Sequence, residues 1–242
     1  MFEKRRQYSY KTQKHQRHVM LRFFFYFFIL YAAYNCLTAF FFSIWVLDND
    51  TMQPMFNKGD RLVFYSFKLP SKFLWFKSTG NSLLFNRGSA VLVDMGREKK
   101  IKLPLRIIDS AVRFFTGQQA SIFTGEGQYY IKRVVGLPGD EIYMTDYVFR
   151  IKPKSGLYSL TEFELAEKPY HPAIPQRPAL WNESLPFSGN MDKIVLGPDE
   201  CFVVSDDRGN TNDSRTWGPI PVSYITAKAV LRFWPITKIS LP

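Results

Sequence analysis

The chain has 242 residues, 46% apolar and 22% charged, enough for one sizeable core or for a core with a satellite subdomain. That excludes a peptide, a disulfide-stapled miniprotein and a wholly disordered tail. The net charge of +11 suggests nucleic acid or an anionic membrane surface as a partner, but it is unevenly spread: within Met1–Arg22, Lys4, Arg5, Arg6, Lys11, Lys14, Arg17 and Arg22 face only Glu3.

After this basic arm (1–22) comes an uncharged run of 24 residues, Phe23 to Val46. As one helix it would extend about 36 Å, more than the ~30 Å of a bilayer's hydrocarbon core. It is too long for the apolar part of a cleaved signal and lacks a small-residue cleavage site, so a retained transmembrane helix is predicted over 23–46, with a buried core helix as the alternative. The cations ahead of it place the N-terminus on the cytoplasmic side and everything after Val46 outside. Asn35 and Thr38 are placed to bond either a partner helix or their own helix backbone. Cys36 would lie in the bilayer and Cys201 outside it, so no disulfide is expected. With His15, His18 and His171 as the only histidines and no CxxC spacing, no metal site or other cofactor is expected either.

Beyond the span, short runs rich in Val, Ile, Phe and Tyr alternate with Gly and Pro turn signals: 61–67, 89–95, 128–136, 141–151, 200–206 and 226–234. They predict a mainly β domain. The stretch 101–117 departs from that pattern, because Ile107, Ile108, Ala111, Val112 and Phe115 share one helical face. That face would either pack on the sheet or lie on the membrane surface. Residues 152–198 carry seven prolines and weak periodicity, which predicts an irregular inserted β subdomain between two parts of the core, 47–151 and 199–242.

Three separated blocks carry candidate chemistry. The first, Asn49 to Asp60, holds Thr51 ahead of Met52-Gln53-Pro54 and a Gly-Asp turn. In the second, Tyr130 to Asp140, Lys132 interrupts an apolar strand, where burial penalises its ammonium and lowers its pKa. A lysine so tuned serves as a general base towards a hydroxyl. The third, Ser205 to Pro219, is dense in short polar side chains suited to a hydrogen-bonded loop that orients such a lysine.

In this order and after an N-terminal anchor, the blocks resemble the type I signal peptidase family, the bacterial leader peptidases, which are membrane-anchored serine proteases of the Ser-Lys type. KRVVGLPGD and NDSRTWGPIP carry the likeness, which covers the anchor and three short stretches of motif. It implies a catalytic domain of two antiparallel β-sheets, with Thr51 as nucleophile and Lys132 as general base. It also implies that Thr211 orients the lysine amine, that Asp213 and Arg215 form a bracing ion pair, and that Asn49 with the Thr51 backbone N–H serves the oxyanion. Met52 and Pro54 would shape the site and help it meet the membrane, with Arg208 and Ser205 nearby. Substrates would be signal peptides of exported preproteins, cut after a small-x-small site. The lipid bilayer is the other expected partner, the secretion machinery is a further candidate, and nucleic acid is not expected. The protein would sit in the plasma membrane with its catalytic domain on the outer, periplasmic side.

Most family members have Ser at the position of Thr51. The extra methyl hinders attack and stiffens χ1. Ser205 and Asp207 replace the usual Gly and Asn beside the lysine. Two readings follow: a signal peptidase with a Thr-Lys dyad, or a chain that binds signal sequences or membrane partners without cutting them.

Overall fold

A computed structural model describes residues 10–66, 85–96, 103–116, 128–175 and 189–242. It opens with helix α1, Tyr10–Phe40. Every described side chain from Lys14 to Leu30 is exposed, including Phe23, Phe24, Phe25 and Phe28, so α1 is not a core helix. Asn35 Nδ2 donates to Tyr31 O (2.8 Å) and Thr38 Oγ1 to Tyr34 O (3.0 Å), so both polar side chains bond their own helix.

The expected 24-residue span is divided. The helix stops at Phe40, and Phe42–Val46 forms strand β1, paired antiparallel with β2 (Arg61–Ser66). Aromatic and β-branched residues fit a pleated edge as well as a lipid-facing helix, so FSIWV reads as apolar in either role. Among the described residues, no helix is long and apolar enough to cross a membrane.

The remaining elements are mainly β. Strand β3 (Ala90–Asp94) is followed by helix α2 (Leu103–Phe115) and then by β4 (Tyr129–Gly136), β5 (Glu141–Thr145), β6 (Val148–Lys152) and β7 (Leu160–Thr161). Helix α3 (Glu162–Leu165), β8 (Met191–Val195), β9 (Glu200–Val204), helix α4 (Ser214–Trp217), β10 (Ile220–Pro221) and β11 (Ile225–Trp234) complete the chain. They build a seven-stranded sheet in the order β1-β2-β11-β3-β4-β9-β10 and a four-stranded sheet in the order β7-β6-β5-β8, with every named strand pairing antiparallel.

Alternation along the strands sorts side chains between three cores. On β3, Ala90 and Leu92 join Met52, Phe56, Leu62 and Phe64 on one side, while Val91 and Val93 join Val134, Cys201 and Val203 on the other. On β9, Phe202 and Val204 face a third core with Ile142, Phe149 and Ile151. The sheets are thus joined through β9, whose two faces are both buried.

One sequence expectation needs correction here. The run 141–151 is not one strand but the hairpin β5–β6, turned at Asp146 (φ 54°) and Tyr147 (φ 64°), a pair of left-handed residues as in a type I′ turn. Of helix α2, the Phe114 ring meets Tyr34, Tyr31 and Phe27 of α1 at 4.9, 5.1 and 6.0 Å. Of the expected insertion 152–198, the residues 176–188 lie outside the described ones; the rest supplies β7, α3 and β8 to the second sheet, and Ala173 N–H donates to Asp206 O (2.9 Å).

Candidate active site

The three blocks meet where β4, the loop before β2 and the loop after β9 converge. Asp207 N–H donates to Thr51 O (3.1 Å), tying the third block to the first. Arg133, 1% exposed, bonds Asp206 through Nε (2.6 Å) and Nη2 (2.5 Å), with Nη2 also 2.9 Å from Met55 Sδ and the guanidinium over the Tyr170 ring. One buried cation therefore links all three blocks.

Lys132 precedes it on β4, opposite Val91 of β3. Its Nζ donates to Ser205 Oγ (2.8 Å) and lies 5.7 and 5.9 Å from the ring centres of Trp217 and Tyr130. Burial lowers the amine to about 8, against the attraction of Asp213, with the Arg215 charge adding to the fall. Near neutral pH such a lysine gains and loses its proton readily, as a general base must.

Asp213 organises the loop from beneath. It caps α4 and accepts from Arg215 N–H (3.0 Å), Arg215 Nη2 (2.8 Å) and Ser205 N–H (2.8 Å). Burial alone would raise its carboxyl, but the bonds and charge of Arg215 and the Ser205 N–H outweigh that and hold it below the usual range. Arg215 in turn donates through Nη1 to Arg208 O (2.7 Å). The backbone of Ser205, and hence the hydroxyl under the lysine, is thereby fixed.

Other residues stand elsewhere than expected. Thr211 makes no hydrogen bond to Lys132; it lines a cleft of about 240 Å³ with Met144, Tyr147, Asn190, Met191 and Arg215. The hydroxyl on the amine belongs to Ser205, which the resemblance places only nearby. Arg208 is fully buried and points to the second sheet, where Nη2 bonds Glu162 of α3, itself bonded by Tyr170 Oη and Phe149 N–H. Met52 is also fully buried, which removes it from any membrane contact, whereas Pro54 is exposed.

Thr51 is half-buried, and its Oγ1 donates to Asn49 Oδ1 (2.8 Å), not to Lys132. Asn49 Oδ1 also accepts the Thr51 N–H at 3.4 Å, and Asn49 Nδ2 donates to Asp48 (3.2 Å). Both expected oxyanion donors thus have partners in this structure, and the hydroxyl and the amine are each bonded to a different neighbour.

Comparison with known proteins gives the family. Residues 20–234 match the family model described as signal peptidase, peptidase S26. Signal peptidase I of Streptococcus pneumoniae is 30% identical over 128 residues, covering 45% of this chain and 62% of that protein. A probable signal peptidase I-2 of Synechocystis sp. is 28% identical over 112 residues, covering 46% and 41%. The chloroplastic thylakoidal processing peptidase 1 of Arabidopsis thaliana is 36% identical over 55 residues, covering 23% and 16%. The chain thus spans less than two thirds of the length of each of these relatives. With a match running from within α1 to the end of β11, the chain belongs to the S26 signal peptidase family of serine-type peptidases.

Proposed function

We propose that this protein is a membrane-bound signal peptidase I that removes signal peptides from exported preproteins after a small-x-small site, with Thr51 as nucleophile and Lys132 as general base. The observation that carries this reading is the buried Lys132 amine, lowered to about 8 and held by Ser205 beside the loop that bears Thr51. In the reaction the neutral amine takes the Thr51 proton as Oγ1 attacks the scissile carbonyl. The resulting ammonium then gives a proton to the leaving amine, and water hydrolyses the acyl-enzyme with Lys132 again as base. For this, Thr51 Oγ1 exchanges its bond to Asn49 for one to Lys132. Release of Asn49 frees the Thr51 N–H to face the oxyanion, where such donors contribute about 3–4 kcal/mol in other proteases. On this reading the N-terminus lies in the cytoplasm, the uncharged part of α1 holds the chain in the plasma membrane although by itself it falls just short of a full span, and the β domain works on the outer side.

The threonine methyl makes attack slower than from serine. Thr51→Ser is therefore expected to raise kcat several-fold with little change in KM, and Thr51→Ala to remove cleavage, both measured on a preprotein with purified protein in detergent. A parent whose cleavage survives Thr51→Ala refutes the dyad.

Because only the neutral lysine acts, kcat/KM of the parent is expected to rise about tenfold per unit of pH below about 8 and to level off above it. A flat profile between pH 6 and 9 would count against Lys132 as base.

The second reading is a catalytically impaired chain that binds signal sequences without cutting them. It draws on one observation, the Thr51–Asn49 bond that turns the hydroxyl away from the amine. Tight binding of a signal peptide, with no cleavage by either the parent or Thr51→Ser, is the result it requires.

A further inference from the structure

Helix α2 is held by α1, and its packing fits hydrocarbon better than water. From Phe23 to Phe40, α1 has 18 uncharged residues, a rise of about 27 Å, just short of a ~30 Å hydrocarbon layer. The tip of α2 contacts the middle of that stretch: Phe114 meets Phe27, Tyr31 and Tyr34, and Phe115 stacks on Phe27 at 6.4 Å. Phe115 stays 73% exposed and Ile108 49%, and on α1 Phe23, Phe24 and Phe28, neighbours of Phe27 along the helix, are exposed as well.

The polar groups near the tip are provided for in a way that water would make unnecessary. Arg113 Nε bonds Asp109 Oδ2 at 2.6 Å one turn away, so these two opposite charges neutralise each other. A helix end leaves its last carbonyls without intrahelical donors, which is costly in lipid. Here Tyr34 Oη of α1 donates to one of them, Arg113 O, at 3.4 Å.

We propose that α2 inserts into the hydrocarbon layer beside α1, so that the pair of helices, and not α1 alone, anchors the protein in the bilayer. This rests on α1 being the anchor, as read above. The covering partner is lipid acyl chain: the exposed surface is aromatic and aliphatic, carries no unpaired described charge near its tip, and continues the apolar surface of α1.

The test places a single environment-sensitive fluorophore on the full chain in vesicles of phosphatidylcholine and phosphatidylglycerol, with Cys36→Ala removing one native thiol. Cys201 stays unlabelled, being buried with its thiol pushed up to about 12. Labels at Phe115→Cys and Ile108→Cys are expected to lose most of their emission to lipids brominated on the acyl chains, as does a label at Phe28→Cys in α1. A label at Leu157→Cys, exposed in the second sheet's domain, is expected to keep its emission. Quenching at 28 with none at 108 and 115 overturns the insertion of α2 while leaving α1 as anchor. No quenching at any of the three overturns both. Emission at 115 that responds to protein concentration but not to brominated lipid assigns the surface to a second copy and also overturns the proposal. None of these readings depends on cleavage, so an inactive parent changes none of them.

Discussion

Lys132→Met is expected to abolish cleavage and, at neutral pH, to make the protein more stable. Loss of base-assisted attack removes about 10²–10⁴-fold in kcat, because no other described side chain bonds the space that the amine occupies beside Ser205. The stability gain comes from the same burial. An amine that falls from 10.5 to about 8 on folding is charged at pH 7 in both states, and the folded state bears a penalty of about 3 kcal/mol for it. Methionine removes that penalty but also removes the bond to Ser205, worth about 1 kcal/mol, leaving a net gain of about 2 kcal/mol. The parent's folded pKa is depressed, so between about pH 8 and 10.5 the unfolded chain holds the extra proton, and parental stability rises with pH across that window. The variant lacks this rise. Urea unfolding of both proteins at pH 7 and pH 10 measures it; a variant less stable than the parent at pH 7 would show that the ammonium is not strained in the fold.

Much of this site was legible in the chain. Lys132 within YYIKRVVG announces a buried amine because nothing else in an apolar strand is charged except its neighbour Arg133, and the structure gives both of them burial and a partner. The β2, β3, β4, β9 and β11 strands lie where Val-rich runs between turn residues put them. What composition does not carry is direction. Ser205 and Thr211 are both hydroxyls on one loop, and only the Asp213 bond to the Ser205 N–H decides which of them lies under the lysine. The turn at Asp146-Tyr147 lacks the glycine that marks most type I′ hairpins, so the sequence reads on through it. The face of α2 reads as amphipathic, but its neighbour Phe114 meets another apolar helix, and a hydrophobic stripe looks the same whether it meets a sheet, a helix or lipid.

Asp206→Ala is expected to cost about 3–5 kcal/mol of stability, the largest loss from any single change in the site. The carboxylate is fully buried and satisfies two nitrogens of Arg133, which is itself 1% exposed, so its removal leaves a guanidinium in the interior without its bonded counter-charge. The loss belongs to breaking the pair, not to the absence of charge. The double change Arg133→Met with Asp206→Leu is therefore expected to recover most of it, since well-packed apolar side chains replace buried ion pairs with little penalty. Chemical unfolding of the parent, Arg133→Met, Asp206→Leu and the double variant closes the cycle, and a double-variant loss equal to the sum of the two single losses would mean that the pair contributes nothing. The pair also acts on the chemistry, through charge. Asp206 is among the carboxylates that raise the Lys132 amine, against the larger lowering by burial. Among molecules that remain folded, Asp206→Ala is thus expected to move the rising limb of the pH–kcat/KM profile to lower pH. A purely structural role for the pair would lower the amount of active protein and leave that limb in place.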